Sequence, residues 1–361
     1  MIRKAIVFVF LLALIGAVSA ATLSFSQFGT NATVDGNPLG GGTGYSDIKT
    51  SGDCTATTSA TLVSCLAGAT SGQVVYVPET AEINMTGIYD TPIPPGVILA
   101  SNRGSSGSSG GKIFQKSEAI NLAIIHQMFS VNGSGVRITG LRLEGYDKTR
   151  AAYAIGTTAV SNYNYSGFVV DNCEVSGWQY AGIHIKLTND TLTAQGLADT
   201  ELGSSIAYIH HNFIHHNQAN GAGYGVEVNN ATALVKANLF SYNRHAITSS
   251  GVPGSGYEAS YNLQNAGEGL DNHVFDIHGY PETDGSAGTL FRYYHNTILS
   301  SDSLDINIRG VPLQDVSISY NIFTNITGGG SVYQHGTGNV TMSRNAINGG
   351  YFAGDAVTHH V

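Results

Sequence analysis

Five short segments in the second half of the chain carry the side chains best suited to chemistry: IHIK at 183–186, VEVN at 226–229, ITSS at 247–250, FDIH at 275–278 and INIR at 306–309. Each alternates apolar with polar residues, as a short strand does when one face is buried. Stacked by their apolar positions, they give one outward column of His184, Glu227, Thr248, Asp276 and Asn307. A second column reads Lys186, Asn229, Ser250, His278 and Arg309, and Arg244, His245, Glu258 and His273 flank the pair. Carboxylates, imidazoles, an amine and a guanidinium on one ribbon are groups that bind and cleave polar polymers.

Two chemistries suit this set. Strands in a stack are about 4.8 Å apart, so Glu227 and Asp276, two strands apart, have backbones about 10 Å apart. Their side chains could close to the approximately 6.5–9.5 Å of an inverting glycosidase pair, one acid and one base. In an eliminating enzyme His278, Lys186 or Arg309 would instead act as base or enolate stabiliser. Ca²⁺ or an arginine would then neutralise a uronate carboxylate. An acidic protein repels polyuronates without such a cation, which puts hydrolysis slightly ahead. Outward strand positions must be polar for solubility alone, so composition by itself does not separate a site from a solvated face.

His273-x-x-Asp276-x-His278 offers metal-ligand residue types, but alternation sends His273 to the other face, and no zinc spacing is present. No metal is expected there, and no cofactor is required. The pairs His210-His211 and His215-His216 sit at turns, where they would satisfy backbone groups. Arg244 could pair with Glu258 or Asp276, or bind a sugar carboxylate. Nineteen tyrosines and Trp178 supply sugar-stacking or core aromatics.

The elements that position these residues are repeats. The phrase apolar-x-apolar-x-x-Asn-x-apolar recurs around Asn172, Asn212, Asn238, Asn262, Asn296, Asn321 and Asn345, with Gly140 at the same place upstream. Successive Asn are 40, 26, 24, 34, 25 and 24 residues apart, a unit near 25 with occasional insertions. Short strands at that period form the coils of a parallel β-solenoid. Asn at the turn tolerates left-handed backbone angles, and stacked Asn side chains can hydrogen-bond as a ladder. The expected fold is a single-stranded right-handed parallel β-helix.

Composition agrees. Charged residues are 11% of the 361, against about 25% in an average soluble domain, and 46 residues are Gly. Residues 1–20 read as a secretory signal peptide: basic Arg3 and Lys4, an apolar stretch from Ala5 to Gly16, and small residues Val18-Ser19-Ala20. Cleavage after Ala20 leaves 14 basic against 25 acidic residues, a net charge of −11. That balance argues against nucleic acid, and no later apolar run suits a membrane-spanning helix. Residues 21–71 then form an N-terminal cap, and 72–361 the β-helix. In an oxidising compartment Cys54 and Cys65 pair as a local disulfide, while Cys173 stays a buried thiol. Eight Asn-x-Ser/Thr sequons, from Asn31 to Asn339, permit glycosylation.

The phrases VVYVPETAEI, GVILASNRGSSGSSGG, VRITGLRLEG, IHHNFIHHN…GYGVEV, YNRHAI…GSGYEASYN and HVFDIHG, in that order, resemble exported archaeal and bacterial β-helix proteins similar to the pectate-lyase-like superfamily. The resemblance spans about Ser71 to Ile347 and implies the fold and a carbohydrate setting, without site residues. The resulting expectation is a secreted or cell-surface protein that binds or cleaves a polysaccharide or other glycan. The alternative is a self-associating structural protein of the envelope, sheath or surface layer.

Overall fold

The computed structural model describes residues 28–116, 126–146, 157–163, 165–187, 206–219, 221–265, 273–299, 304–324, 332–347, 350–352 and 357–360. The expected signal peptide lies outside them, as do sequons Asn164, Asn189 and Asn325. The chain is a parallel β-helix. Successive coils each give one strand to each of three sheets, which hold 11, 11 and 10 strands among the described residues. Pairing within the sheets is parallel until the last hairpin of the second sheet, Asn345–Ile347 with Gly350–Phe352. Strand Val357–His360 pairs in parallel with Val332–His335 in the third sheet, so the C-terminal segment continues the solenoid.

The turn from first to second sheet explains the repeat. The left-handed residue and the ladder residue, expected to coincide, are neighbours. His211, Ala237, Tyr261, His295, Tyr320 and Arg344 have φ between 52° and 59°. The buried Asn that follows each of them forms the ladder. Asn262 is typical: its Oδ1 accepts from Asn238 N at 3.0 Å, and its Nδ2 donates to Asn296 Oδ1 at 3.0 Å and Val235 O at 2.8 Å. Asn172 and Gly140 belong to the left-handed column, not the ladder, with φ of 52° and 68°. Splitting the two jobs lets almost any residue take the strained angle, because the rungs beside it pin the backbone.

Aliphatic and aromatic side chains from all three sheets fill one continuous core. Trp178 lies in it, fully buried and donating to Leu143 O at 3.1 Å, so it offers no sugar platform. Cys173 is a buried free thiol and Cys54–Cys65 is a disulfide. The disulfide ties strand Cys54–Thr55 to helix Ser59–Gly68. Thr58 and Thr61 form a capping box at the start of this helix, and Leu62, Cys65 and Leu66 bury its inner face against the first coil.

The segment before that helix does more than cover one end. Residues 28–49 run back along the ladder side: Gly29 N donates to Tyr320 O, Gly40 N to Ala237 O and Gly42 N to Asn172 Oδ1, at 2.7, 3.0 and 2.7 Å. Tyr45 Oη then reaches Asp171 Oδ2 at 2.7 Å. This strap satisfies outward backbone groups that the left-handed turns expose.

Candidate functional site

The third sheet brings the expected column together in register: His184 pairs with Glu227, Glu227 with Thr248, Thr248 with Asp276, and Asp276 with Asn307. Ser161 extends the column upstream of His184. Burial separates this column from an ordinary solvated face. Ser161, His184, Glu227, Thr248, Asp276 and Asn307 are all buried, although they point away from the core.

The strands do not alternate throughout. Paired residues skip Gly182, Gly225, Ala246 and Val274. Ala246 and Val274 lie in the core, and a Cβ on Gly225 would meet Ile214 and Phe240. The next residue in each coil, Val226, Ile247 or Phe275, is also inward. Two successive inward residues shift the phase by one, so Tyr224, His245 and His273 turn outward as a third column. His245 stacks on Tyr224 with centroids 5.6 Å apart and on His273 at 4.3 Å. Strict alternation sends His273 away from Asp276, but the bend brings its Nε2 to 3.1 Å from Asp276 Oδ1. The signal was present in the sequence as small or apolar residues at 225, 246 and 274, one place before each inward position.

The two carboxylates live in different surroundings. Asp276 is fully buried, and Arg309 grips it with Nε on Oδ1 and Nη2 on Oδ2, both at 2.9 Å. His278 Nε2 lies 2.7 Å from Oδ2. Burial opposes ionisation, yet the hydrogen bonds from His273 and His278 hold the carboxyl well below its usual range. His245 gives its Nδ1 proton to His273 O at 2.9 Å, and burial keeps the ring neutral. Arg309 Nη2 also approaches His273 Nε2 at 3.0 Å.

Glu227 is less engaged. Its Oε1 accepts from Tyr180 Oη at 2.9 Å and Asn229 Nδ2 at 2.8 Å. Its Oε2 is buried without a hydrogen bond, 3.7 Å from His184 Nε2. Burial and then the Glu227 charge raise the Tyr180 pKa, keeping the phenol protonated, while burial keeps His184 neutral. Along this column Ser161 Oγ, His184 Nδ1, Glu227 Oε2, Thr248 Oγ1 and Asn307 Oδ1 are all buried with no hydrogen-bond partner.

Lys186 is exposed beside Asn229, and Arg244 donates to Tyr224 Oη at 3.1 Å, so both border the ribbon. Glu258 does not. It sits on the first sheet, between Leu234 and Arg292, and cannot partner Arg244 at the ribbon. The paired histidines meet through their own rings, His210 Nδ1 to His211 Nδ1 at 2.9 Å and His215 Nδ1 to His216 Nδ1 at 2.7 Å. His211 Nε2 also meets Val34 O of the strap at 3.0 Å. Sequon Asn230 is buried, a poor acceptor for a glycan.

No family model and no curated protein matches the chain. Among solved structures, an alginate lyase from Paenibacillus sp. str. FPU-7 is similar at 13% identity and a TM-score of 0.47, covering 84% of this chain and 98% of that one. A Geobacillus virus E2 protein, ORF18, is similar at 15% identity and a TM-score of 0.41, covering 90% of this chain and 55% of that one. At these values neither assigns a site, and the fold rests on the strand register itself. No helix among the described residues is long and apolar enough to cross a membrane.

Proposed function

We propose that the ribbon binds a polysaccharide laid along the solenoid axis, outside the cytoplasm, and cleaves it by β-elimination beside a uronate carboxylate. The line of five buried, unpaired polar atoms carries this reading. Leaving such groups unpaired costs about 1–3 kcal/mol each, so a fold retains them where a ligand completes them. Sugar hydroxyls both donate and accept, which suits a line holding Ser and Thr hydroxyls beside Glu and Asn oxygens. One sugar residue extends about as far as one coil rise, so successive rungs can read successive sugars. Tyr163 and Tyr180, half-buried at the upstream end, flank His184 with ring centroids 5.6 Å away and offer stacking surfaces.

The carboxylates favour elimination over hydrolysis. Asp276 is held ionised by surrounding donors, so it suits neither protonation of a leaving group nor activation of water. Glu227 and Tyr180 form a self-restoring pair. Glu227 Oε2 takes the proton alpha to the uronate carboxylate, and the C–H electron pair becomes the C=C bond as the C–O bond breaks. Tyr180 protonates the departing oxygen. Glu227 then returns its proton to Tyr180 through their existing hydrogen bond. Lys186 supplies the positive charge that neutralises the substrate carboxylate.

The test is incubation of the disulfide-bonded mature chain with uronate-containing and neutral polysaccharides, following reducing ends and the ultraviolet absorbance of unsaturated uronates together. Both signals should rise on a polyuronate and vanish in Glu227→Gln and Tyr180→Phe. Reducing ends without absorbance would make the protein a hydrolase. Silence on every polymer, with sedimenting fibres or sheets, would make it an envelope structural protein.

A further inference from the structure

We propose that His245, His273 and Asp276 form a binding site for one divalent transition-metal ion of the Zn²⁺ or Co²⁺ class. This goes beyond the proposed function, because metal binding needs neither a glycan nor Glu227. One ligand atom from each residue lies within 4.8 Å of the other two. The decisive feature is a mismatch of acceptors. His245 spends its Nδ1 proton on His273 O, so its Nε2 carries a lone pair. That nitrogen is buried, has no hydrogen-bond partner, and lies 3.8 Å from Asp276 Oδ2, another acceptor. The unmet one is His245 Nε2, and a buried lone pair turned toward a carboxylate calls for a cation beside the two. His273 Nε2 joins them, 3.1 Å from Asp276 Oδ1; without metal it donates its proton to that oxygen, and an ion takes the proton's place.

Asp276 has room for the ion. A carboxylate offers about four lone-pair sites. Arg309 Nε and Nη2 and His278 Nε2 take three, and the remaining one, on Oδ1, faces His273 Nε2 and opens to the ion when the proton between them is displaced. The outer contacts are those that orient metal ligands: a backbone carbonyl on His245 Nδ1, and a guanidinium fork with an imidazole on the carboxylate. Two imidazoles with one carboxylate suit borderline metals, whereas Ca²⁺ takes oxygen ligands. The Ca²⁺ considered from sequence therefore does not fit this cluster. His273, about 11% exposed at its side chain, is where the ion would meet the ribbon.

The experiment uses untagged mature chain, stripped with chelator and titrated with Zn²⁺ by calorimetry and with Co²⁺ by visible spectroscopy. One equivalent should bind, with a Co²⁺ ligand-field band that excess Ca²⁺ leaves in place. His245→Phe and His273→Asn should each weaken binding by at least about 100-fold, beyond the usual loss of an outer-shell contact. Unfolding midpoints would show that each variant is folded, and His273→Asn, altered at a half-buried strand end, decides the matter if His245→Phe does not fold. No stoichiometric binding to the wild type overturns the proposal. So does unchanged affinity in the folded variants, which would place the metal on another histidine cluster, and so does displacement by Ca²⁺. Cleavage is not measured, so this result and the lyase reading fail separately.

Discussion

Glu227 and Asp276 share one column, and conservative amides should separate their roles. Asp276→Asn replaces one carboxylate oxygen with an amide that points N–H at the donors of Arg309 or His278. Removing one partner of a buried ion pair costs about 3–5 kcal/mol. Arg309 is about 25% exposed, so water recovers part of this, and a loss of roughly 2–4 kcal/mol is expected. Folded domains hold only about 5–15 kcal/mol in total, so the shift in urea midpoint should be large. Glu227→Gln keeps Oε1 for Tyr180 and Asn229 and discards a charged oxygen that has no hydrogen bond. Its midpoint should stay within about 1 kcal/mol of wild type, while cleavage falls by about 10²-fold or more. Paired unfolding curves and cleavage rates on the same samples provide the assay. A wild-type midpoint for Asp276→Asn, or full cleavage by Glu227→Gln, would refute the division of roles.

Asn262→Ala leaves Asn238 N–H without its acceptor and removes a donor from Val235 O, both buried, so urea unfolding should show a loss of about 2–5 kcal/mol. Burial pushes the Cys173 thiol up to about 12, so native protein should resist thiol reagents and release one reactive thiol per chain only on unfolding. Burial lowers His210 from 6.5 to about 4, so its neutral form favours the fold. The unfolded chain takes up the proton first as pH drops below 6.5, and stability should fall toward pH 4 by at most about 3 kcal/mol. His210→Asn should flatten that slope in pH-dependent urea midpoints, and an unchanged slope would exonerate this residue.

The sequence by itself determined the coil. Asn at intervals near 25 and apolar residues at alternate places announced a parallel solenoid, because each rung repeats the same local demand for a turn, a ladder and a buried face. The same alternation fixed the register of His184, Glu227, Thr248, Asp276 and Asn307, since a slip of one residue would expose Val226, Ile247 and Phe275. Tertiary structure decided what those residues could do. The bend at Gly225, Ala246 and Val274 reversed the facing of His245 and His273, because the corner must fill its interior with two successive residues. Arg309 meets Asp276 only across stacked coils, so the guanidinium fork that sets Asp276 apart from Glu227 is invisible to local pattern, whereas His278, two residues on in the same coil, is not. Glu258 shows the converse: near Arg244 in sequence, it lies on another sheet because one coil turns through all three. Periodicity is a property of neighbours along the chain, whereas burial, pairing and unpaired atoms belong to neighbours between coils.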